Sequence, residues 1–308
     1  MKKIAVFVIL AFLVNCFSSC EKEINVNLAD SEKKIVIEGV IESNQVPYVT
    51  ISKSIGFFDK IDLGSVQYVN NAVVKIEDLS DSKSITLKEY NLDTTVGTQT
   101  FHFHIYGPDL NDPIAMSFKG QVEHTYKLSI SAEGKQYESI TKIPGSVGLD
   151  SLWLEPVPGK EDSFKAVKAY YNDPDTFGNA VRLETLTNRF IKTGVPEIYY
   201  TSFNSVYNDD IINGTRIPLS IDLGYNKSEN YSQSEINTIG FIRKGDTVNI
   251  KWSAIDTHVY DFWETLAFSQ SSVGNPFASP TKIQSNIPGA LGVWAGYGSI
   301  YYKIIDSL

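Results

Sequence analysis

Apolar and polar residues alternate in a series of short segments that begins near position 34, and this period of two constrains the fold most strongly. In the first segment, Ile35, Ile37 and Ile41 share one side, opposite Glu38 and Glu42. Segments with the same alternation and with turn residues between them recur up to residue 143. About seven short strands at such spacing are typical of an antiparallel sandwich. We therefore predict an immunoglobulin-like β-sandwich over residues 34–145.

The turn-forming run Pro144-Gly145-Ser146 interrupts this pattern and marks a predicted domain boundary. After it, residues 146–308 contain further strand-like runs with weaker alternation, which indicates a second β-rich domain. One short amphipathic helix is also predicted there, because apolar residues recur at helical spacing after Asp256, a suitable N-cap. These apolar residues are Ile255, Val259, Phe262 and Leu266.

The N-terminus has the order of features found in a cleavable export signal. Lys2 and Lys3 precede an apolar run that is too short to span a bilayer, and Phe17-Ser18-Ser19 leads directly to Cys20. The segment resembles a bacterial lipoprotein signal, in which the cysteine is lipidated and becomes the first mature residue. We therefore expect residues 1–19 to be a lipoprotein signal peptide, with lipid on Cys20 and a tether over residues 20–33. The alternative is an ordinary signal peptide with an incidental cysteine.

Glu21, Lys22 and Glu23 follow the cysteine immediately. They resemble the charged tag that exports Bacteroidota-type lipoproteins to the outer face of the outer membrane. A solvated tether is the alternative, since charged residues suit one equally well. The tag favours an outer-membrane protein, anchored by lipid and exposed at the cell surface.

The charge balance limits the classes of partner. The chain carries 27 Lys and Arg against 36 Asp and Glu, a formal net charge of −9. Such an acidic chain is poorly suited to nucleic acid, whose binding depends on neutralising phosphates. Only two cysteines are present, Cys16 and Cys20, so the mature chain has no pair for a disulfide. Its stability must come from burial of apolar surface.

Catalytic and metal-binding constellations are weak. His102 and His104 are two apart on a predicted strand and so share a face, which could begin a metal site. The same alternation already predicts polar residues on the solvated face, and we expect no metal or other cofactor. Asp209 and Asp210 are adjacent, and neighbouring side chains of an extended segment diverge, which is unsuitable for paired carboxylate catalysis. We expect the protein not to be an enzyme.

Aromatic residues are concentrated in the irregular part of the predicted second domain. Exposed aromatic rings on loops commonly contact a partner or a sugar ring. The candidates for ligand or partner contacts are Tyr199, Tyr200, Phe203 and Tyr207, with Tyr225 and Tyr231 nearby in sequence. The alternative is that they are ordinary core and edge residues of strands, in which tyrosine is common.

Several stretches, in their order along the chain, resemble the domain of unknown function 4249 family of Bacteroidota-type lipoproteins. They are the 35–41, 48–54, 71–76 and 126–130 segments, Asp173-Pro174 before Gly178-Asn179, Asp209-Asp210 before Asn213-Gly214, and the helix around Tyr260 before Ser285-Asn286-Ile287. The resemblance implies a β-sandwich, a second β-rich domain and a lipid anchor at the cell surface. It also implies a link to TonB-dependent outer-membrane transporters, and it supplies no catalytic residues.

Together these observations favour a lipid-anchored binding protein that assists a TonB-dependent transporter in nutrient uptake. Two alternatives remain open at this stage. One is a surface hydrolase acting on glycan or peptide, and the other is a structural or adhesive envelope protein.

Overall fold

The computed structural model describes residues 32–55, 66–96, 99–161, 163–191, 197–227, 229–272 and 281–307. The predicted signal peptide, Cys20, the Glu21–Glu23 tag and most of the tether lie outside these ranges. From Lys33 to Leu308 the chain belongs to one compact unit. It is mainly β, as the alternation predicted. None of the helices in the described ranges has the length and apolar character needed to cross a membrane.

The first half of the chain contains seven strands and one short helix in the described ranges. These elements are β1 (Ile35–Glu42), β2 (Tyr48–Lys53), β3 (Val73–Asp78), β4 (Lys83–Val96), β5 (Gln99–Gly107), α1 (Pro113–Ser117), β6 (Thr125–Ala132) and β7 (Lys135–Lys142).

The second half adds eight strands, a single 3-10 turn at Asn188–Phe190 and two helices, again within the described ranges. They are β8 (Leu149–Pro156), β9 (Phe164–Asn172), β10 (Ala180–Thr187), β11 (Val206–Asn208), β12 (Arg216–Ile221), α2 (Gln233–Ile236), β13 (Ile242–Arg243), β14 (Thr247–Ile255), α3 (Thr257–Ser271) and β15 (Leu291–Ile305).

Strands from both halves form an 11-stranded sheet in the order β11-β10-β14-β15-β1-β2-β5-β4-β3-β6-β7. The 14-residue β4 belongs to two parts of it, because residues 83–87 pair with β3 and residues 88–96 pair with β5. The inward residues of β1, β2 and β5 share one buried cluster with those of β3, β6 and β7. The first half therefore has two β-layers around one core, the predicted sandwich arrangement.

β15 connects the two halves of the large sheet. Its first part, residues 291–297, pairs in parallel with β1, and its second part, residues 298–305, pairs antiparallel with β14. The sequence prediction of an all-antiparallel sandwich did not include this parallel pair. Trp294 of β15 is fully buried in the core of the first half, where its Nε1 donates to the Tyr126 carbonyl at 3.0 Å.

A second core lies between the large sheet and a smaller sheet of β8, β9, β12 and β13. Val181, Leu183, Val248, Ile250 and Trp252 of β10 and β14 face it from the large sheet. The opposite face of these strands is covered in part by α3, through a third cluster that includes Val259 and Phe262. The second half thus has three layers, with the large sheet in the middle.

The helix α3 confirms the sequence prediction. Asp256 is its N-cap, and its Oδ1 accepts from the Val259 N–H at 2.9 Å. Its other carboxylate oxygen accepts from the Thr141 hydroxyl at 2.8 Å and the Lys142 N–H at 3.2 Å, both on β7. One aspartate therefore begins the helix and fixes its end against the first half of the chain.

The division into domains 34–145 and 146–308 stays a prediction. The boundary coincides with the connection between β7 and β8, and the two larger cores lie mostly on either side of it. However, Ile287, Ala290 and Trp294 from the end of the chain belong to the first core.

Candidate functional site

A large open cleft lies beside α3 on the face of the large sheet that the helix covers only in part. Its volume is about 810 Å³. Its walls are the last turns of α3, residues 203–206 before and within β11, and residues 225, 227 and 229–231. The side chains that line it include Phe203, Tyr225, Lys227, Tyr231, Ile236, Glu264, Phe268 and Gln270.

Three aromatic rings form a contiguous patch in the cleft. Phe203 meets Tyr225 edge to face with 6.1 Å between ring centroids, and Tyr225 meets Tyr231 in the same way at 5.6 Å. Phe203 is 67% exposed, and Phe268, on the helix side, is 55% exposed. Large apolar rings that stay this exposed are available to a ligand. Burial and the Glu229 carboxylate raise the pKa of the Tyr231 hydroxyl to about 12, so it remains a neutral donor.

The loop that carries Phe203 is fixed to the edge of the sheet by backbone hydrogen bonds. Thr185 and Tyr200 exchange two of them at 2.8 Å, and the Leu183 N–H donates to the Ser205 carbonyl at 2.7 Å. The Gly224 N–H donates to the Thr185 hydroxyl at 2.7 Å, which draws the Tyr225 segment to the same strand. The aromatic patch is therefore held by β10.

The cleft adjoins a smaller recess of about 260 Å³. Phe203, Tyr225 and Lys227 line both spaces. Arg182, Glu184 and Trp263 belong to the recess, with Tyr199 and Tyr200 at its side.

Arg182 is buried in the wall of the recess and is held from several directions. Its Nη1 donates to the Tyr297 hydroxyl at 2.8 Å, its Nη2 lies 3.2 Å from a Glu184 oxygen, and its guanidinium lies 3.5 Å from the Trp263 ring centroid. The Trp263 Nε1 also donates to the Tyr297 hydroxyl, at 2.9 Å. These contacts connect the sheet to α3 and fix the guanidinium in one position.

The ion pairs extend from the recess across the sheet to β1. Lys251 on β14 lies 3.5 Å from the second Glu184 oxygen and 2.7 Å from Glu42. The Tyr301 hydroxyl donates to the other Glu42 oxygen. Each buried charge in this series thus has an opposite charge beside it, as burial requires.

Lys227 lies at the junction of the cleft and the recess. Its ammonium donates to the Ser202 carbonyl at 3.0 Å and to the Thr201 hydroxyl at 3.4 Å, and it lies 5.6 Å from the Phe203 ring centroid. Desolvation and the positive charge of Arg182 lower the pKa of this ammonium. Lys227 and Arg182 both line the recess.

The structure brings together three of the four aromatic residues that the sequence singled out. Tyr199, Tyr200 and Phe203 line the recess, and Phe203 also lines the larger cleft. Tyr207 lies apart from them. Its ring packs against the second core, and its hydroxyl donates to the Asn204 carbonyl at 2.9 Å.

The candidate histidines are engaged by separate carboxylates. His102 Nδ1 lies 2.7 Å from Asp93, and His104 lies 3.7 Å from Glu89 and stacks on Tyr68 at 5.0 Å. Neither belongs to a metal-ligating group within the described ranges.

One group of possible metal ligands, formed by Asp78, Asp81 and His124, does occur among the described residues. Asp78 Oδ1 accepts from the Ser80 and Asp81 N–H groups, and its Oδ2 lies 2.8 Å from His124. Asp81 is paired with Lys83 at 2.7 Å. These contacts stabilise the β3–β4 turn.

The adjacent carboxylates Asp209 and Asp210 have separate roles. Asp209 is buried and accepts from the Gly178 and Asn179 N–H groups at 3.2 and 2.9 Å, whereas Asp210 is exposed and accepts from the Asn208 amide at 2.7 Å. In turn, Asp173, which precedes Gly178 in the same loop, accepts from the Gly214 N–H at 3.2 Å. These hydrogen bonds join the loop around residues 173–179 to the loop around residues 209–214. Because Asp209 and Asp210 have separate partners, they do not form a catalytic pair of carboxylates.

Sequence reasoning did not single out Arg182, Lys227, Trp263 or Phe268 for the site. Arg182 and Glu184 are two apart on a strand, which indicates a shared face, but nothing in the pattern shows that α3 covers that face. Trp263 and Phe268 are not among the apolar positions that predicted the helix.

Fold and site together define a β-rich protein with an aromatic cleft beside the helix α3. Comparison with family models places it more specifically. Residues 21–299 match the model described as domain of unknown function (DUF4249), and the chain belongs to that family. A search of curated proteins finds no match.

Proposed function

We propose that this protein is a lipid-anchored binding protein of the bacterial cell surface, whose cleft holds a nutrient ligand for a TonB-dependent outer-membrane transporter. The observation that carries the proposal is the aromatic cleft beside α3. Its volume of about 810 Å³ is within the range of small-molecule sites, roughly 300–1,000 Å³. Exposed aromatic rings with polar groups close by suit a ligand that has both apolar faces and hydrogen-bonding groups.

The shape of the site favours binding over support of the envelope. Phe203 and Phe268 remain exposed on opposite walls, although burial of such rings contributes about 1.5–3 kcal/mol each. Backbone hydrogen bonds hold the Phe203 loop in place before any ligand arrives, so a ligand need not order it. A rigid apolar surface left open to solvent is expected of a binding site.

Ligand binding tests the cleft directly. Purified protein is applied to an array of oligosaccharides and aromatic metabolites, and hits are measured by calorimetry. We expect Phe203→Ala to weaken binding about tenfold or more, as loss of an aromatic anchor does. Phe177→Ala is the matched control, because Phe177 is 79% exposed on a different loop and should not affect binding. Equal effects of the two changes would contradict the cleft as the site.

The anchor and the transporter are tested in cells. Lipid on Cys20 should appear by mass spectrometry of the mature N-terminus, and Cys20→Ser should release the protein from the membrane fraction. Replacing Glu21, Lys22 and Glu23 by alanine should keep the lipid but remove surface accessibility to protease.

Affinity purification from detergent-solubilised membranes should recover a TonB-dependent barrel, and a protein that always purifies alone would argue against this partner.

A further inference from the structure

The charged residues of the site are unevenly distributed between its two spaces. Arg182, Glu184 and Lys227 are the charged residues lining the recess, so lining cations exceed lining anions there. The larger cleft has Lys227 with Glu229 and Glu264. Lys227 belongs to both spaces.

The guanidinium of Arg182 cannot leave this position. Glu184 lies beside it, but the same carboxylate also faces Lys251 at 3.5 Å. Lys251 also pairs with Glu42, so the two buried cations are matched by two carboxylates. This leaves Lys227 as the cation of the recess that is held by neutral groups.

Lys227 is the cation that a ligand can reach. Its ammonium is bound by the uncharged Ser202 carbonyl and Thr201 hydroxyl, while its side chain remains exposed. A ligand carboxylate would replace these neutral acceptors with a charged one, and hydrogen bonds between charged groups are stronger. The same ammonium lies 5.6 Å from the Phe203 ring centroid.

The aromatic patch fixes where the rest of the ligand lies. Phe203 and Tyr225 meet at 69° and form a corner that a flat or chair-shaped ring can contact on two sides. A ring in this corner is next to the Lys227 ammonium. A carboxylate attached directly to that ring would therefore point toward the recess.

We infer that the cleft selects ligands in which a ring carries a carboxylate, with the ring against Phe203 and Tyr225 and the carboxylate bound by Lys227. This inference rests on the proposed function of the cleft. Acidic sugars and aromatic acids both have this chemistry.

Two matched pairs of probes test the preference and separate its two sources. The sugar pair is trigalacturonate and its fully methyl-esterified form, and the aromatic pair is 4-hydroxybenzoate and 4-hydroxybenzamide. In each pair the ring is kept and the charge is removed. Affinities are measured by calorimetry at low and at high sodium chloride.

We expect the acid of at least one pair to bind about tenfold tighter than its neutral partner, as a charged hydrogen bond allows. The difference should shrink at high salt because screening weakens it. Lys227→Gln should remove the difference by weakening the acid and leaving the neutral form unchanged. Lys135→Gln, at an exposed position on β7, is the control and should change neither.

The outcomes distinguish this inference from the proposed function. Equal affinity of acid and neutral forms, or tighter binding of the neutral forms, overturns the charge preference while the cleft remains a binding site. An acid preference that survives Lys227→Gln also overturns it. If none of the four probes binds but array ligands bind with the Phe203 dependence described above, the ligand class is wrong and the binding function stands.

Discussion

At the scale of single residues, buried charges determine the rigidity of the site. Arg182, Glu184 and Glu42 are each less than 10% exposed, and Lys251 joins them across three strands. Burying such groups is costly unless every charge is paired, and removing one partner leaves another charge alone in the interior. This series therefore holds the recess in one arrangement, at some cost in stability.

Asp209 offers a residue-scale test of how the loops beside β10 are fixed. Asp209→Ala removes a buried carboxylate and leaves the Gly178 and Asn179 N–H groups, which are only partly buried, without their acceptor. We expect the free energy of unfolding to fall by about 1–3 kcal/mol, measured by urea denaturation. Asp210→Ala is the matched control, since this exposed neighbour accepts only from a surface amide, and should lie within about 0.5 kcal/mol of the parent. Similar losses for both variants would contradict this explanation.

Sequence reasoning identified part of the candidate site because clustered aromatic residues outside regular alternation are visible in a sequence. Tyr199, Tyr200 and Phe203 were found in this way. Tyr207 was indistinguishable from them, since only the tertiary structure shows that its ring faces a core. Arg182 and Lys227 were not found, because a charged residue on a strand or loop looks the same in sequence whether it faces solvent or a recess.

At the scale of elements, local signals predicted strands and α3 well, while long-range pairing was not accessible. Alternation shows which face of a strand is buried and gives no information about its neighbour in the sheet. β1 and β15 are separated by nearly the whole chain, and their parallel pairing contradicts the expectation of purely antiparallel sheets. Gly292 and Gly296 lie in this part of β15, where the backbone of Ile37 and of Lys142 comes too close for a Cβ.

Gly292 tests the β1–β15 junction. Its φ is +103°, and a Cβ at this position would lie 1.9 Å from the Ile37 carbonyl oxygen. Gly292→Ala should therefore force the two strands apart, lowering the thermal midpoint by many degrees or preventing folding. Gly240→Ala is the control, because a Cβ there meets nothing within 4 Å. Thermal unfolding followed by circular dichroism measures both, and an unchanged midpoint for Gly292→Ala would contradict the parallel pairing.

At the scale of the whole molecule, one sheet passes through both halves of the chain and gives the site its floor. Glu42 on β1 belongs to the first half, and Arg182 and Lys251 belong to the second. β15 lies between them and contributes Tyr297 and Tyr301. The recess therefore depends on strands from both halves of the chain lying in one sheet. The sequence of the second half alone could not predict this arrangement.

Cutting the chain at the predicted boundary tests whether the halves are independent. A fragment of residues 34–145 lacks β15, so β1 loses its parallel partner from Val36 to Glu42 and the core loses the fully buried Trp294. Loss of a large buried aromatic alone costs about 3–5 kcal/mol, a large part of a typical domain's stability. We expect this fragment to show no cooperative unfolding transition in urea, whereas residues 33–308 should show one.

Attaching residues 281–297 to the fragment through a flexible linker should restore part of the transition, because these residues supply Ile287, Ala290 and Trp294 to the core. A cooperative transition in the unextended fragment would show instead that the first sandwich is a domain in its own right and that β15 only docks against it.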